Sequence, residues 1–182
     1  MSLESLQDRL PDYAKDIRLN LSTLARDESL NAQRLWGTFL STAIAARNAE
    51  LIGAVEAEAT AKISPEAVNA AKAAAAIMAM NNVYYKFSGM MSDEYKTLPA
   101  KLRMTVIGNP GVDKGDFELW SLAVSAVNGC QYCVIAHELK LIESGFSREE
   151  IQTAVRIASV IHAVATVLDA EDALKNVVRQ AA

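Results

Sequence analysis

An alanine-rich segment that starts at Ser64 and continues to about Phe87 is the strongest indicator of this chain's fold class. Ser64 is a good N-cap, Pro65 suits the first helical position, and Glu66 places an acid in the first turn. Alanine has the highest helix propensity and is depleted in strands. The segment therefore predicts a long helix over residues 65–87.

The same helical spacing of apolar residues recurs along the rest of the chain, and no stretch alternates as a strand does. Of the 182 residues, 51% are hydrophobic, and the 8 Gly and 4 Pro are too few for a fibrous or disordered chain. We expect one all-α domain over residues 1–182. Further helices are predicted near residues 3–10, 13–24, 31–52, 98–107, 116–128 and 130–143, and from 147 onward.

The two halves of the chain share a pattern. Trp36 and Trp120 each follow a leucine and are 84 residues apart, while the helix starts at Ser64 and Ser147 are 83 residues apart. The match predicts two related helical repeats, although alanine-rich helices can also align by chance. The approximate repeats are residues 31–87 and 116–170, and in this alignment Cys130 and Cys133 correspond to Ala46 and Ala49.

Charge and hydropathy exclude some functions. The 22 Asp and Glu exceed the 18 Lys and Arg, which gives a net charge of −4 and disfavours nucleic-acid binding. The N-terminal residues lack the basic and apolar regions of a signal peptide. The apolar stretch at residues 70–80 is too short to span a bilayer. We expect a cytoplasmic protein with no nucleic-acid or membrane partner.

The two cysteines, Cys130 and Cys133, are three positions apart and would share one face of a helix. Asn128-Gly129 precedes them and favours a break, which would place Cys130 in the first turn of a new helix. Backbone N–H groups and the helix dipole stabilise a thiolate there. In a reducing cytosol such a pair is typically redox-active or metal-binding.

Two further residues extend this site. His137 lies one turn beyond Cys133 and could accept a thiol proton. If the chain turns back at Asn128-Gly129, Glu118 and His137 reach a similar height on facing helices. A carboxylate there would fix the imidazole tautomer, which predicts a proton relay from thiol to His137 to Glu118.

Other interpretations of the cysteines remain open. They could be small buried hydrophobic residues. They could also bind zinc with His137, but the only other histidine, His162, lies on an apolar helix and is expected in the core or at an interface. We therefore predict no metal.

With Glu118, Cys130-x-x-Cys133 and His137, the chain resembles the alkyl hydroperoxidase D proteins of the carboxymuconolactone decarboxylase-like superfamily. The segments at residues 10–17, 79–85 and 117–120 also look like those of the family. The resemblance covers essentially the whole chain.

The resemblance implies an all-helical protomer with duplicated halves, assembled as a homotrimer. It implies an antioxidant, lipoyl-dependent peroxidase that reduces organic hydroperoxides and recycles a partner peroxiredoxin, alkyl hydroperoxide reductase C. The reductant would be dihydrolipoamide, supplied by a lipoylated acyltransferase and dihydrolipoamide dehydrogenase, with no tightly bound cofactor.

The resemblance also assigns roles to the site residues. Cys133 would be the peroxidatic thiol that becomes a sulfenic acid, Cys130 the resolving thiol that closes the disulfide, and His137 and Glu118 the proton relay. The helix-terminus argument alone favours Cys130 as the more acidic thiol, but His137 is nearer to Cys133. Family members often have His between the cysteines, where this chain has Tyr132. Tyrosine is a poor base at neutral pH, so Tyr132 is at most an auxiliary hydrogen-bond donor.

Two other functions are compatible with the sequence, and they differ in how they need the cysteine pair. An electron-relay adaptor would reduce a peroxiredoxin through the cysteines and have little peroxidase activity of its own. A decarboxylase or ring-opening enzyme of the wider superfamily would not need the cysteine pair.

Overall fold

The structure is a computed structural model that describes residues 2–180, and the side chains of residues 2–176. Over this range the backbone forms ten α-helices, one short 3₁₀ helix at Asp12–Ala14, and no β-strand, so the all-α prediction is confirmed. The α-helices are α1 (Leu3–Gln7), α2 (Lys15–Leu24), α3 (Ala32–Ala46), α4 (Ala49–Lys62), α5 (Pro65–Met90), α6 (Asp93–Thr97), α7 (Thr105–Gly108), α8 (Lys114–Val127), α9 (Gln131–Glu143) and α10 (Arg148–Gln180).

Local chemistry explains where several helices begin and end. The Ser64 side chain accepts a hydrogen bond from the backbone N–H of Ala67, as its N-cap position in α5 predicts. The segment predicted as one or two helices over residues 31–52 forms two. Arg47 ends α3 in the left-handed conformation, with φ of 68°, and the Asn48 side chain then caps α4.

The helix predicted near residues 98–107 is wrong over most of its length. The chain is helical before it, in α6, and at its end, in α7, but residues 98–104 are irregular. Pro99 disfavours helical geometry at the preceding residue. Lys101 then adopts a positive φ of 51°, which a continuing helix does not allow.

The core is built by α3, α5, α8 and α10 packing on one another. Its largest fully buried side chains include Trp120, Phe39 and Phe117. The two helices α3 and α8 approach closely at Gly37, where any Cβ would collide with the indole of Trp120. The Trp120 indole N–H donates to the carbonyl oxygen of Arg34 at 3.3 Å. This contact fixes α8 on α3 and sets the position of the site at the end of α8.

The long helix α10 is, by length and composition, apolar enough over residues 148–176 to cross a membrane. Half of its most apolar window is buried within the protein, where α10 packs against α2, α3 and α8. Burial in the core accounts for part of that apolarity. Three helices lie in each predicted repeat, α3–α5 in residues 31–87 and α8–α10 in residues 116–170. The repeat and the single-domain assignment stay predictions.

Candidate active site

A disulfide joins Cys130 and Cys133 at the start of α9, with their Cα atoms 5.3 Å apart. Asn128-Gly129 ends α8 as predicted, and Gly129 makes the turn in the left-handed conformation, with φ of 65°. Cys130 is the N-cap of α9 rather than a member of its first turn, and its Sγ accepts a hydrogen bond from the Cys133 N–H at 3.3 Å. A backbone N–H group therefore points at the sulfur of Cys130.

The turn brings Glu118 of α8 and His137 of α9 together. His137 Nδ1 lies 2.5 Å from Glu118 Oε2, and Lys140 Nζ donates to the other carboxylate oxygen at 3.2 Å. The His137 and Glu118 side chains are mostly buried, with 11% and 13% of their surface exposed. This is the pairing predicted for a chain that turns back at Asn128-Gly129. The function of the pair as a proton relay stays a prediction.

The protonation of this pair follows from its surroundings. Burial raises the pKa of Glu118, but the hydrogen bonds and positive charges of His137 and Lys140 outweigh burial, and the net pKa lies below the ordinary value. Glu118 is therefore ionised at neutral pH and accepts the proton on His137 Nδ1. Nε2 is left as the nitrogen that can exchange a proton with a thiol.

Nε2 of His137 contacts the thioether sulfur of Met78 at 3.3 Å. Met78 is buried on α5. A thioether accepts hydrogen bonds only weakly and cannot donate them, so Met78 supplies no proton to Nε2 and leaves this nitrogen free to accept one. Nothing in the sequence indicates the contact, because 59 residues separate the two side chains.

A cavity of about 260 Å³ opens beside Cys133 and His137. Most of its remaining wall is apolar or aromatic, formed by Met78, Tyr85, Met104, Ile107 and Ala136. Its other lining residues are Asn81, Tyr132 and Lys140. Cys130 is completely buried and does not line this cavity. A small apolar molecule in the cavity would thus contact Cys133 and not Cys130.

Tyr132 lies at the edge of the cavity, with 55% of its surface exposed. Its ring stacks on Tyr85 at 6.0 Å between centroids. Tyr132 also lines a second cavity of about 380 Å³, together with residues that include Lys86 and Ile135. Tyr132 thus contributes to two cavities, and its hydroxyl makes no hydrogen bond to any residue whose side chain the structure describes. Its predicted auxiliary role stays a prediction.

A buried amide network holds the turn in place. Asn82 of α5 donates to Ser125 Oγ and accepts from the Asn128 side chain, both at 2.8 Å. The Cys130 N–H donates to the Ser125 carbonyl oxygen at 3.0 Å. These bonds tie α5 to the α8–α9 turn, so the positions of both cysteines depend on α5.

The zinc alternative concerns Cys130, Cys133 and His137, and the absence of a metal stays a prediction. Within residues 2–176, no three His, Cys, Asp or Glu side chains are grouped so that they could hold a metal ion. His162, expected in the core or at an interface, is exposed on α10, so its expected place in the core is wrong. The groups that the structure brings together at the site are two sulfurs, one imidazole and one carboxylate.

Comparison with known proteins identifies the chain's relatives. Residues 93–176, which contain all four of these groups, match the carboxymuconolactone decarboxylase family. The chain is 58% identical over 174 residues to the alkyl hydroperoxide reductase AhpD of Gluconacetobacter diazotrophicus, covering 96% of both chains. It belongs to the AhpD family. The AhpD proteins of Rhodopseudomonas palustris (58% over 171 residues; 93% of this chain, 94% of the relative) and Streptomyces coelicolor (57% over 175 residues; 96% and 98%) are similarly close.

Membership of the AhpD family confirms the resemblance drawn from Glu118, the cysteine pair and His137. It also agrees with the helical fold. The similarity to the AhpD relatives extends over nearly the whole chain, so it includes α5, which supplies Met78 and Asn81 to the cavity, as well as the helices that carry the cysteines.

Proposed function

We propose that this protein is a peroxidase that reduces organic hydroperoxides through a dithiol–disulfide cycle of Cys130 and Cys133. One observation carries the proposal: the cysteine pair, the His137–Glu118 pair and an apolar cavity meet at one place, the start of α9. The AhpD relatives are named alkyl hydroperoxide reductases, which agrees with this chemistry.

The oxidative half-reaction starts from the dithiol. His137, oriented by Glu118, takes the Cys133 thiol proton at Nε2, and the thiolate attacks the terminal oxygen of the hydroperoxide. The O–O bond breaks, the leaving alkoxide takes the proton from His137, and an alcohol departs. Cys133 is oxidised by two electrons to a sulfenic acid.

The second step closes the disulfide. The Cys130 thiolate attacks Cys133 Sγ, the S–O bond breaks, and the hydroxide takes up a proton and leaves as water. The Cys130–Cys133 disulfide of the structure corresponds to this product. Dihydrolipoamide then returns two electrons and two protons by thiol–disulfide exchange and becomes the cyclic disulfide lipoamide.

Burial supports Cys133 as the peroxidatic thiol. Cys133 lines the cavity and retains 5% exposure, while Cys130 is fully buried. Cys133 is also one turn from His137 on α9. The Cys130 sulfur accepts a hydrogen bond from the Cys133 N–H. It is bonded to Cys133 Sγ, the atom that it attacks in the second step.

Family membership supports a proposal for the partners. We propose alkyl hydroperoxide reductase C as the recycled peroxiredoxin, and a lipoylated acyltransferase with dihydrolipoamide dehydrogenase as the electron source. A cytoplasmic homotrimer is proposed on the same basis. Exposed apolar side chains on α9 (Tyr132, Ile135 and Leu139) support association with other proteins beside the site.

The same exposed apolar side chains favour one second candidate, the adaptor function. An adaptor needs a docking surface beside its disulfide more than it needs a substrate cavity. Peroxide turnover measured with and without the peroxiredoxin separates the two. An adaptor would consume peroxide only when the peroxiredoxin is present.

A coupled assay tests the proposal, with cumene hydroperoxide, lipoamide, lipoamide dehydrogenase and NADH. Because the cycle transfers two electrons, we expect one NADH oxidised per hydroperoxide consumed. The Cys133→Ser variant should reduce the rate to background while keeping the wild-type helical circular dichroism. Wild-type turnover in this variant would rule out the thiol cycle.

A further inference from the structure

A lysine contacts the buried carboxylate of the site from the side opposite to the histidine. Lys140 Nζ donates a hydrogen bond to Glu118 Oε1 at 3.2 Å, while His137 Nδ1 lies 2.5 Å from the other carboxylate oxygen, Oε2. Lys140 follows His137 by three residues on α9, so both side chains project from one face of that helix. Glu118 therefore binds a histidine through one oxygen and a lysine through the other.

The three side chains differ in their exposure to solvent. Glu118 and His137 are mostly buried, whereas 54% of the Lys140 side chain is exposed. Ion pairs between two exposed side chains are worth little, because water screens both charges. Here the carboxylate is buried and is screened less, so the lysine charge acts on it more strongly. We therefore expect the contact to affect the charge of the buried pair more than the stability of the fold.

Few other charges act on this pair. Burial raises the pKa of Glu118, and the described charged groups that lower it are His137 and Lys140. From α5, the group that contacts His137 Nε2 is the uncharged thioether of Met78. Lys140 is the one lysine or arginine among the described residues that line the cavity. The other titratable side chains of the lining are Tyr85, Tyr132 and Cys133.

Glu118 and Lys140 have opposite electrostatic effects on His137. A carboxylate beside Nδ1 favours the imidazolium form, so an unopposed Glu118 would keep the ring protonated over a wider pH range. A protonated ring cannot accept a thiol proton at Nε2. The positive charge of Lys140 opposes this effect of the carboxylate.

We propose that Lys140 is a positioning residue of the peroxidase reaction, which acts through Glu118 to keep the imidazole of His137 uncharged and able to accept the thiol proton. Lys140 itself exchanges no proton or electron, so the balance of the oxidative step is unchanged. The inference rests on the proposed peroxidase function and adds the residue that extends the action of its base toward lower pH.

The test measures the pH dependence of thiol oxidation in Lys140→Met, which keeps a side chain of similar length and removes the charge. Reduced protein is mixed with cumene hydroperoxide over a range of pH, and the loss of thiols is followed. We expect the pH of half-maximal rate to rise by about half a unit, which slows oxidation about threefold on the acid side. Lys140→Arg keeps the charge and should retain the wild-type profile. Tm should change little in either variant.

Lys72→Met is the matched control. Lys72 forms an ion pair with Glu56, in which 43% and 40% of the two side chains are exposed, and neither residue lines the cavity. The substitution therefore removes the same charge from a similarly exposed lysine away from the site. We expect the wild-type pH profile in this variant.

A second probe makes the test independent of hydroperoxide. Iodoacetamide alkylates the thiolate of a cysteine, and in the Cys130→Ser background only Cys133 can react. The pH of half-maximal alkylation should rise by the same amount when Lys140→Met is added. Lys140→Arg should leave it unchanged.

Four results would overturn the inference: an unchanged pH of half-maximal rate in Lys140→Met; a rate lowered by the same factor at every pH, which indicates a contact with substrate; an equal shift in Lys72→Met, which indicates an effect of net charge; or a Lys140→Arg variant that behaves as Lys140→Met. If the wild type fails to react with hydroperoxide, the proposed function fails and the alkylation series still decides this inference. An active wild type with unchanged profiles in Lys140→Met defeats this inference alone.

Discussion

The turn between α3 and α4 and the turn between α8 and α9 use the same backbone arrangement with different side chains. In each, a residue with a φ near 65° is followed by an N-cap whose side chain accepts the N–H three residues later. The first turn uses Arg47 and Asn48, and the second uses Gly129 and Cys130. One N-cap is an amide that cannot be oxidised, and the other is a redox sulfur.

The contacts around the two turns differ in the same way. The Asn48 amide also donates to Asp169 of α10 at 2.7 Å, and Arg34 on α3 binds Asp116 and Glu150 at 2.7 and 2.6 Å. The first region thus uses its polar groups to hold helices together. Around the second turn, Glu118 and His137 instead bind each other beside a cavity. The two turns share a backbone geometry, and their side chains therefore determine their different chemistry.

The helix caps give a different register from the sequence match, and the repeat itself stays a prediction. The tryptophans align Cys130 with Ala46, but the capping geometry makes Asn48 its counterpart. A helix start is fixed by its capping residue, whereas a core tryptophan can occupy different turns of two helices. The structural comparison thus pairs one N-cap with another.

The largest effect that distinguishes the two regions is expected from Glu118→Gln. A glutamine can present its N–H to His137 Nδ1, which would move the imidazole proton to Nε2 and remove the base. Because positioned acid–base groups contribute about 100-fold or more, we expect thiol oxidation by hydroperoxide to slow about 100-fold. Stopped-flow oxidation kinetics would measure it. An unchanged rate with an intact fold would remove Glu118 from the mechanism.

The opposite result is expected from Arg34→Ala in the first region. The substitution leaves the buried Asp116 carboxylate with Gln33 as its remaining side-chain partner, at 2.7 Å. We expect a loss of about 2 kcal/mol in unfolding free energy, less than for a fully buried pair because Arg34 is partly exposed. Urea unfolding measures this, and the oxidation rate of the folded variant should stay at the wild-type value. A large rate loss would contradict the division between the regions.

Asn48→Ala should have a smaller effect of the same kind. It removes the N-cap of α4 and the bond to Asp169, and caps are typically worth about 1 kcal/mol. We expect a lower Tm and unchanged peroxide turnover. Asn48→Asp is the control, since it keeps the capping acceptor and places a carboxylate against Asp169. It should lose stability through repulsion and not through the cap, and the loss should shrink at high salt.

The smallest effect concerns the acid dependence of stability. The pKa of Glu118 is lower in the folded protein than the ordinary value of about 4.3, so its ionised form stabilises the fold above that pH. This contribution is lost as the pH falls through the lowered folded-state pKa. The stability difference between wild type and Glu118→Gln should therefore be constant near neutral pH and shrink in acid. If the stability difference grows in acid, the pKa of Glu118 is raised and not lowered in the folded protein.

Local signals explain what the sequence could predict. The Ser64 cap, the Asn128-Gly129 turn and the one-turn spacing of Cys133 and His137 depend on neighbouring residues, and each is present in the structure. The Glu118–His137 contact followed from one added assumption, that the chain reverses at Gly129. The family resemblance supplied the chemistry that geometry alone left open.

Long-range packing explains what the sequence did not predict. Met78 and Asn81 reach the site because α5 packs on α8 and α9, and no spacing rule connects residues some 50 positions apart. The exposed position of His162 likewise depends on which face of α10 the other helices cover. Residues 98–104 depart from the predicted helix because Pro99 and the positive φ of Lys101 do not fit helical geometry.

The most direct test of the central claim is to trap the sulfenic acid in the two single-cysteine variants. Cys130→Ser and Cys133→Ser are each treated with cumene hydroperoxide and dimedone, and the adducts are located by mass spectrometry. We predict an adduct on Cys133 in the Cys130→Ser variant and none on Cys130 in the Cys133→Ser variant. An adduct found only on Cys130 would contradict the assignment of Cys133 as the thiol that attacks the peroxide.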